Sequence, residues 1–346
     1  MSGAKKLFEE ILIKRGLNTQ AQRDAFLNPS YDAKHDPFLL PDMQLAVDRL
    51  MAAREKQEHI TIYGDYDIDG LTATTVLLDA FTSFGFKNVT AFIPNRFVEG
   101  YGLTVDAIER IATDGAQLVL TVDCGSLSHE PITRAKELGV DVIVTDHHNV
   151  AEVQPPAVAV INPKRPNHEY PFIDLAGVGV AFKLVQALQT KLDGLPAGQE
   201  KWLLDLVALG TVCDVVTLVD ENRANVFWGI KVLTKTKRPG LRALMAVSRI
   251  DPNKVNARSL GFGLGPRMNA AGRLETAQIA LDMLTATDPM KALDQLGNSM
   301  QQMLSSLERT AGLPGQKNGP LMKEMLAFKK QLEDVQARQQ EVASET

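Results

Sequence analysis

The chain has 346 residues, 45% of them apolar, enough to bury a sizeable core and too many for a disordered or fibrous protein. A formal charge of -5 argues against a protein that coats nucleic acid indiscriminately, but leaves room for a site whose carboxylates hold cations. Cys124 and Cys213 have no metal-ligand spacing, so neither a disulfide framework nor a zinc knuckle is expected.

The opening residues, MSGAKKLFEEILIKRG, carry acidic groups where a secretory signal needs an apolar core. No later apolar run is long enough to span a bilayer, so a cytoplasmic protein without membrane contact is expected. Helical periodicity in Leu7, Phe8, Ile11 and Leu12, a turn-rich NPSYDAKHDPF and a helix around Met43 to Arg54 make residues 1–58 an N-terminal helical cap. From about residue 59 short apolar runs alternate with helical patterns: HITIYG then LTATTVLLDAFTSFG, NVTAFI then TVDAIERIA, QLVLTV then SHEPITRAKELG, and VDVIVT before DHHNV. Such alternation predicts an α/β domain with a parallel sheet flanked by helices, over residues 59–215.

After about residue 177 the pattern turns mainly helical, and residues 216–310 form a helical portion completing the core. The segment AGLPGQKNGP (311–320) has the composition of a linker. Beyond it Leu321, Met325, Phe328, Leu332, Val335 and Val342 form a seam with one gap at Gln339, suited to a C-terminal amphipathic helix over 321–346. That helix can dock on a partner or fold back on its own core.

Chemistry-bearing residues fall just after strands. Asp65, Asp67 and Asp69 follow the first, in TIYGDYDIDG; Asp123 follows QLVLTV; Asp146, His147 and His148 follow VDVIVT. In an open parallel sheet these loops converge outside the carboxyl ends of the strands, and Asp214, in GTVCDVV, is a further candidate. Alternating aspartates on a bare strand would only repel one another. Carboxylates with one or two imidazoles suit a pair of divalent cations, Mn²⁺ or Mg²⁺, which together can activate a water for in-line attack on phosphorus. Each piece has an ordinary alternative: DYDIDG as a turn, Asp123 as a helix N-cap, the His pair as a surface feature. Their coincidence at three strand ends favours the metal site.

GDYDIDG, VDCGS, TDHH and GTVCD, in this order, resemble the motifs of the DHH phosphoesterase superfamily. IPNRFVEGYGL (93–103) and GFGLGPRMNAAGRL (261–274) are similar to stretches of its RecJ-like branch of single-strand-specific exonucleases. The resemblance runs from near residue 7 to about 310. It implies that Asp67 and Asp69 each bind one of two metals, that Asp123 bridges them, and that His147 and Asp214 complete the coordination. Tyr63 stands where many smaller members have a metal-binding His, which leaves Asp65 or a water to take that place. His148 is implied to meet the scissile phosphate or donate a proton, with Asp146 orienting its neighbours.

Arg96, before an EGYGL loop, is placed to reach a phosphate, by resemblance the 5′-terminal one. Arg267 and Arg273 flank Asn269, Ala270, Ala271 and Gly272, small enough to admit a phosphate backbone between two guanidinium groups. The alternative is a glycine-permitted turn between helices. Lys231, Lys235, Lys237, Arg238 and Arg242 form another basic run, read as a solvated helix end.

Longer members of the branch continue into a second cleft domain and an OB-type domain, neither of which is legible here, so a protein partner supplying the opposite cleft wall is expected. The reading is a two-metal 5′-to-3′ exonuclease that degrades single-stranded DNA to mononucleotides in repair, recombination or replication. Two alternatives are a DHH phosphodiesterase acting on short oligonucleotides or a small phosphoanhydride, and a nonenzymatic replication scaffold.

Overall fold

A computed structural model describes residues 3–95, 99–274 and 277–288, with helical positions 291, 294, 297, 329, 330, 333 and 337; the side chains of 270–274 lie outside it. Among these residues five strands, β1 (Ile60–Gly64), β2 (Val89–Phe92), β3 (Leu118–Val122), β4 (Asp141–Thr145) and β5 (Ala159–Ile161), form one all-parallel sheet in the order β2-β1-β3-β4-β5. The first four coincide with the expected runs. β5 was not anticipated: it is three residues long and follows an irregular stretch containing Pro155 and Pro156, which hides its periodicity.

Period-two alternation sends neighbouring side chains to opposite faces. Ile60, Ile62, Leu118, Leu120, Val122, Ile143 and Ile161 enter one apolar core, while Tyr63, Val119, Val142, Val144 and Val160 enter the other. Three helices cover the first face: α3 (Met43–Lys56), α4 (Ile68–Ser83) and α7 (Gly177–Gln189). The second lies under α5 (Val105–Thr113) and α6 (His129–Glu137). α7 is buried on nearly all sides because α8 (Leu204–Cys213) packs against both it and α4, and α9 (Asp220–Leu233) lies outside α8. Each fully buried Leu, Ile or Phe contributes about 1.5–3 kcal/mol, so the layers are held mainly by this shared core.

Residues 3–58 hold α1 (Gly3–Lys14), α2 (Gln20–Leu27) and α3, with Tyr31, Leu40, Met43 and Leu50 in the same core as the sheet. A buried polar knot ties this region to α7 and α9. Lys183 Nζ donates to Glu221 Oε1 (2.6 Å) and to the carbonyl of His35 (2.5 Å), and the Tyr170 hydroxyl donates to the other oxygen of Glu221.

The chain continues through α10 (Pro239–Val247), a π-helical turn at Ser259–Leu264, α11 (Gly265–Leu274) and α12 (Gln278–Thr285). The basic run is not simply solvated: Arg238 bridges Asp79 (2.6 Å) and buried Asp205 (3.1 Å), and Lys231 lies over the rings of Phe227 and Trp228. The linker expected at 311–320 and all six seam residues between Leu321 and Val342 lie outside the described residues. Among the described residues no helix is long and apolar enough to cross a membrane.

Candidate metal centre

The strand order fixes where the site lies. β1 leads outward to β2 on one side and is flanked by β3 on the other, so the chain leaves β1 and β3 in opposite directions and a crevice opens between their carboxyl ends. The aspartate loops of the sequence stand at this switch point.

After β1 the backbone turns sharply into α4. Asp65 Oδ1 accepts from Tyr66 N (2.8 Å), and Asp67 caps α4 by accepting from Gly70 N (3.1 Å). A Cβ at position 70 would lie 2.5 Å from the Asp65 carbonyl oxygen, so glycine closes the motif because the turn doubles back on itself. Asp69, in the first turn of α4, reaches across to the start of α7. Its Oδ2 accepts from Gly177 N (2.6 Å) and its Oδ1 from Val178 N (2.9 Å), a carboxylate seated on a helix N-terminus.

Asp123 follows β3 in the left-handed region, with φ +62°, and its N–H donates to the Thr145 carbonyl on β4 (2.9 Å). This turn aims the carboxylate back over the sheet edge. At the end of β4, Asp146 accepts on Oδ1 from His147 N (2.7 Å), His148 N (3.1 Å) and the His148 ring (Nδ1, 2.9 Å), and on Oδ2 from Ser126 N (2.9 Å). Asp214 terminates α8.

These residues converge. His147 Nε2 lies 3.1 Å from Asp123 Oδ1, 3.6 Å from Asp214 Oδ2 and 3.8 Å from Asp69 Oδ2. Asp69, His147 and Asp214 form one group of ligand atoms within 4.8 Å of one another, Asp65, Asp67 and Asp123 a second, and Asp123, His147 and His148 a third. Asp123 Oδ1, His147 Nε2 and Asp214 Oδ2 are all buried without a hydrogen-bond partner. Buried polar atoms are nearly always satisfied, so three orphans, two carboxylate oxygens each within 3.6 Å of one imidazole nitrogen, mark a place for a cation.

The electrostatics agree. Burial, reinforced by the neighbouring carboxylates, pushes Asp69 and Asp123 well above the usual carboxylate range. Asp65 rises to about 7, from burial and the charge of Asp67, and Asp214 to about 6 for the same reasons. Burial lowers His147 to about 4, with the charge of His148 adding to it, which keeps its imidazole neutral and able to ligate. Asp146 differs: burial works against its charge, but hydrogen bonds from His148 and the backbone outweigh it and hold the group at about 2. In return Asp146 raises His148.

The family described as "DHH family, N-terminal domain" matches residues 59–211. The "Single-stranded-DNA-specific exonuclease RecJ" of Bacillus subtilis is 42% identical over 87% of this chain and 38% of its own length; that of Dickeya dadantii is 38% identical over 87% and 54%. A crystal structure of exonuclease RecJ bound to manganese superposes with a TM-score of 0.69 at 34% identity, over 79% of this chain and 68% of that one. The chain belongs to the DHH family, in its RecJ-like branch. RecJ in complex with Mn²⁺ from Thermus thermophilus superposes with a TM-score of 0.71 at 32% identity, over 87% of this chain and 42% of that one. The chain therefore spans about half, or less, of the length of the curated relatives it matches.

Within this branch the position of Tyr63 finds a structural explanation. Its ring is buried against Phe92 and its hydroxyl donates to the Gly102 carbonyl (2.8 Å), while Asp65 comes within ligand distance of Asp67 and Asp123. Arg96 and the side chain of Arg273 lie outside the described residues. Residues 265–274 are helical rather than a turn: Pro266 near the start and Ala270 and Ala271 inside favour the helix α11, on which positions 267 and 273 stand about 120° apart. Arg267 Nη1 donates to the Gly263 carbonyl (2.6 Å), and Asn269 is half-buried on the same helix.

Sequence reading missed the supports. Gly177 and Val178 hold Asp69 from more than a hundred positions away, and only the glycine pair of LAGVGVAF hints at a close approach. Buried Asn162 joins Ser126 Oγ (2.8 Å) to the His148 carbonyl (3.0 Å); its Asn-Pro dipeptide signalled a turn but not this contact.

Proposed function

We propose that this chain is a two-metal, 5′-to-3′ exonuclease that hydrolyses single-stranded DNA to mononucleotides in DNA repair, recombination or replication. The observation that carries the reading is the trio of buried, unpartnered ligand atoms on Asp123, His147 and Asp214, at the switch point of a sheet shared with RecJ. Asp69, Asp123, His147 and Asp214 would hold one cation and Asp65, Asp67 and Asp123 the other, with Asp123 common to both. Oxygen and imidazole donors without thiolate suit Mn²⁺ or Mg²⁺. When bound, such a pair supplies water activation and neutralises charge developing at the phosphoryl oxygens.

The chain's own residues supply the rest. The α7 N-terminus and the turn at Asp123 hold the carboxylates in place against their mutual repulsion. Asp146 grips His148 through Nδ1, fixing the ring and favouring its protonated form, so that Nε2 offers a proton to the departing O3′ oxygen. Arg96, Arg267, Asn269 and Arg273 are assigned to the phosphate backbone of the strand. The protein works in the cytoplasm.

The test is digestion of a 5′-phosphorylated, 3′-labelled oligonucleotide with Mn²⁺, wild type beside Asp123→Ala. A ladder shortening from the 5′ end in wild type alone is expected. Equal cleavage by Asp123→Ala would overturn the reading, as would no cleavage by wild type shown to bind Mn²⁺.

A further inference from the structure

The carboxyl end of β5 lies beside that of β4: Thr145 pairs with Ile161, and Asp146 N donates to the Ile161 carbonyl (3.0 Å). Residues 162–164 therefore run along the loop that carries His147 and His148. Their turn is pinned from several sides. The Asn162 amide donates to Ser126 Oγ and to the His148 carbonyl, and its Oδ1 accepts from Lys164 N (2.8 Å). Arg165 Nη1 is bound to Asp42 Oδ2 and the Val160 carbonyl, each at 2.5 Å, and the His168 ring lies 3.0 Å from the Pro163 carbonyl.

What this rigid turn presents to solvent is Lys164, which is exposed. Among the described residues its ammonium has no carboxylate within 4.0 Å, although the neighbouring loop is rich in them. A lysine serving only to neutralise the aspartates would be expected to close that gap. Charge balance gives the standoff a purpose. Two divalent cations leave the five aspartates Asp65, Asp67, Asp69, Asp123 and Asp214 one negative charge short of neutral, and a phosphodiester adds another.

We propose that Lys164 is a substrate-binding residue: its ammonium, mounted on the Asn162 turn beside the His147 loop, pairs with a phosphate of the bound strand. This rests on the nuclease reading above and adds a contact to it. A compact ammonium on a flexible stem suits a phosphate whose position shifts as the strand advances.

The test is fluorescence anisotropy of the full chain with a 5′-phosphorylated single-stranded oligonucleotide, using Ca²⁺ in place of Mn²⁺ so that the strand is held without turnover. Lys164→Ala is expected to bind about tenfold more weakly, the usual scale for a charged hydrogen bond. Its plot of log affinity against log salt should be shallower by about 0.7, the slope lost with one phosphate contact on a single strand. Lys164→Arg should recover most of both. A single neutral methylphosphonate, scanned along the strand, should weaken wild type at one position where it leaves Lys164→Ala unaffected. Wild-type strand affinity and salt slope in Lys164→Ala, with tighter Mn²⁺ binding by calorimetry, would overturn the proposal and make the lysine an internal counter-ion. A wild type that binds Mn²⁺ but no strand would instead bring down the nuclease reading, and this contact with it.

Discussion

Gly177→Ala tests whether the start of α7 positions Asp123, the proposed shared ligand. A Cβ at 177 would lie 2.5 Å from Asp123 Oδ1 and 2.8 Å from both Asp123 Cβ and Cγ. These atoms belong to a short side chain on a backbone turn with φ +62°, so they cannot swing away as the end of a long side chain can. Relief needs movement of the turn or of α7, and overpacking of this kind costs about 1–3 kcal/mol. The Gly177 N–H that holds Asp69 is kept by alanine, so the disturbance centres on Asp123. Misplacing a ligand through its support typically weakens metal binding by about 10–100-fold. Titration calorimetry with Mn²⁺ should show this loss together with a lower melting temperature. Gly179→Ala, two residues along the same helix, is the control: its nearest new neighbour is Leu175 Cδ2 at 3.3 Å. It should keep wild-type metal affinity and gain up to about 1 kcal/mol from helix propensity. Unchanged Mn²⁺ affinity in Gly177→Ala would refute the reasoning.

The metal-free protein should lose stability as pH rises from about 4 to about 7. Asp65 and Asp214 titrate at about 7 and about 6 when folded, so over that window the native state binds more protons than the unfolded chain, and by linkage the slope is negative. Thermal melts in chelator that rise steadily across this range would contradict it. Added Mn²⁺ should accordingly raise the melting temperature more at pH 7.5 than at pH 5, and at about 100 times its dissociation constant stabilise by about 2.7 kcal/mol. Lys183→Met leaves the buried Glu221 without its cation and should cost about 3–5 kcal/mol in urea unfolding; a loss below about 1 kcal/mol would show that the Tyr170 hydroxyl and the His35 N–H suffice.

The alternation of short apolar runs with helical patterns made the parallel sheet legible, because a strand buried on both faces and its crossover helix each impose a local period. The candidate site positions were legible for a related reason: Asp65, Asp67, Asp69, Asp123, Asp146 and His147 all stand just past strand ends, and parallel strands bring those ends to one edge. β5 was not legible, since three residues are too few for a period to declare itself. Nor was the helical state of 265–274, where glycines and arginines read as an opening for phosphate while proline and alanines favoured a helix.

The sequence by itself determined which residues could ligate and which elements would carry them, because both depend on neighbours within a few positions. Only the tertiary structure decided that the α7 N-terminus seats Asp69, that Gly177 abuts Asp123, and that Asn162 mounts Lys164 beside the His147 loop. Those contacts join segments from about 14 to more than 100 residues apart, and they follow from the order of the strands and the packing of helices on them. No local pattern encodes that order.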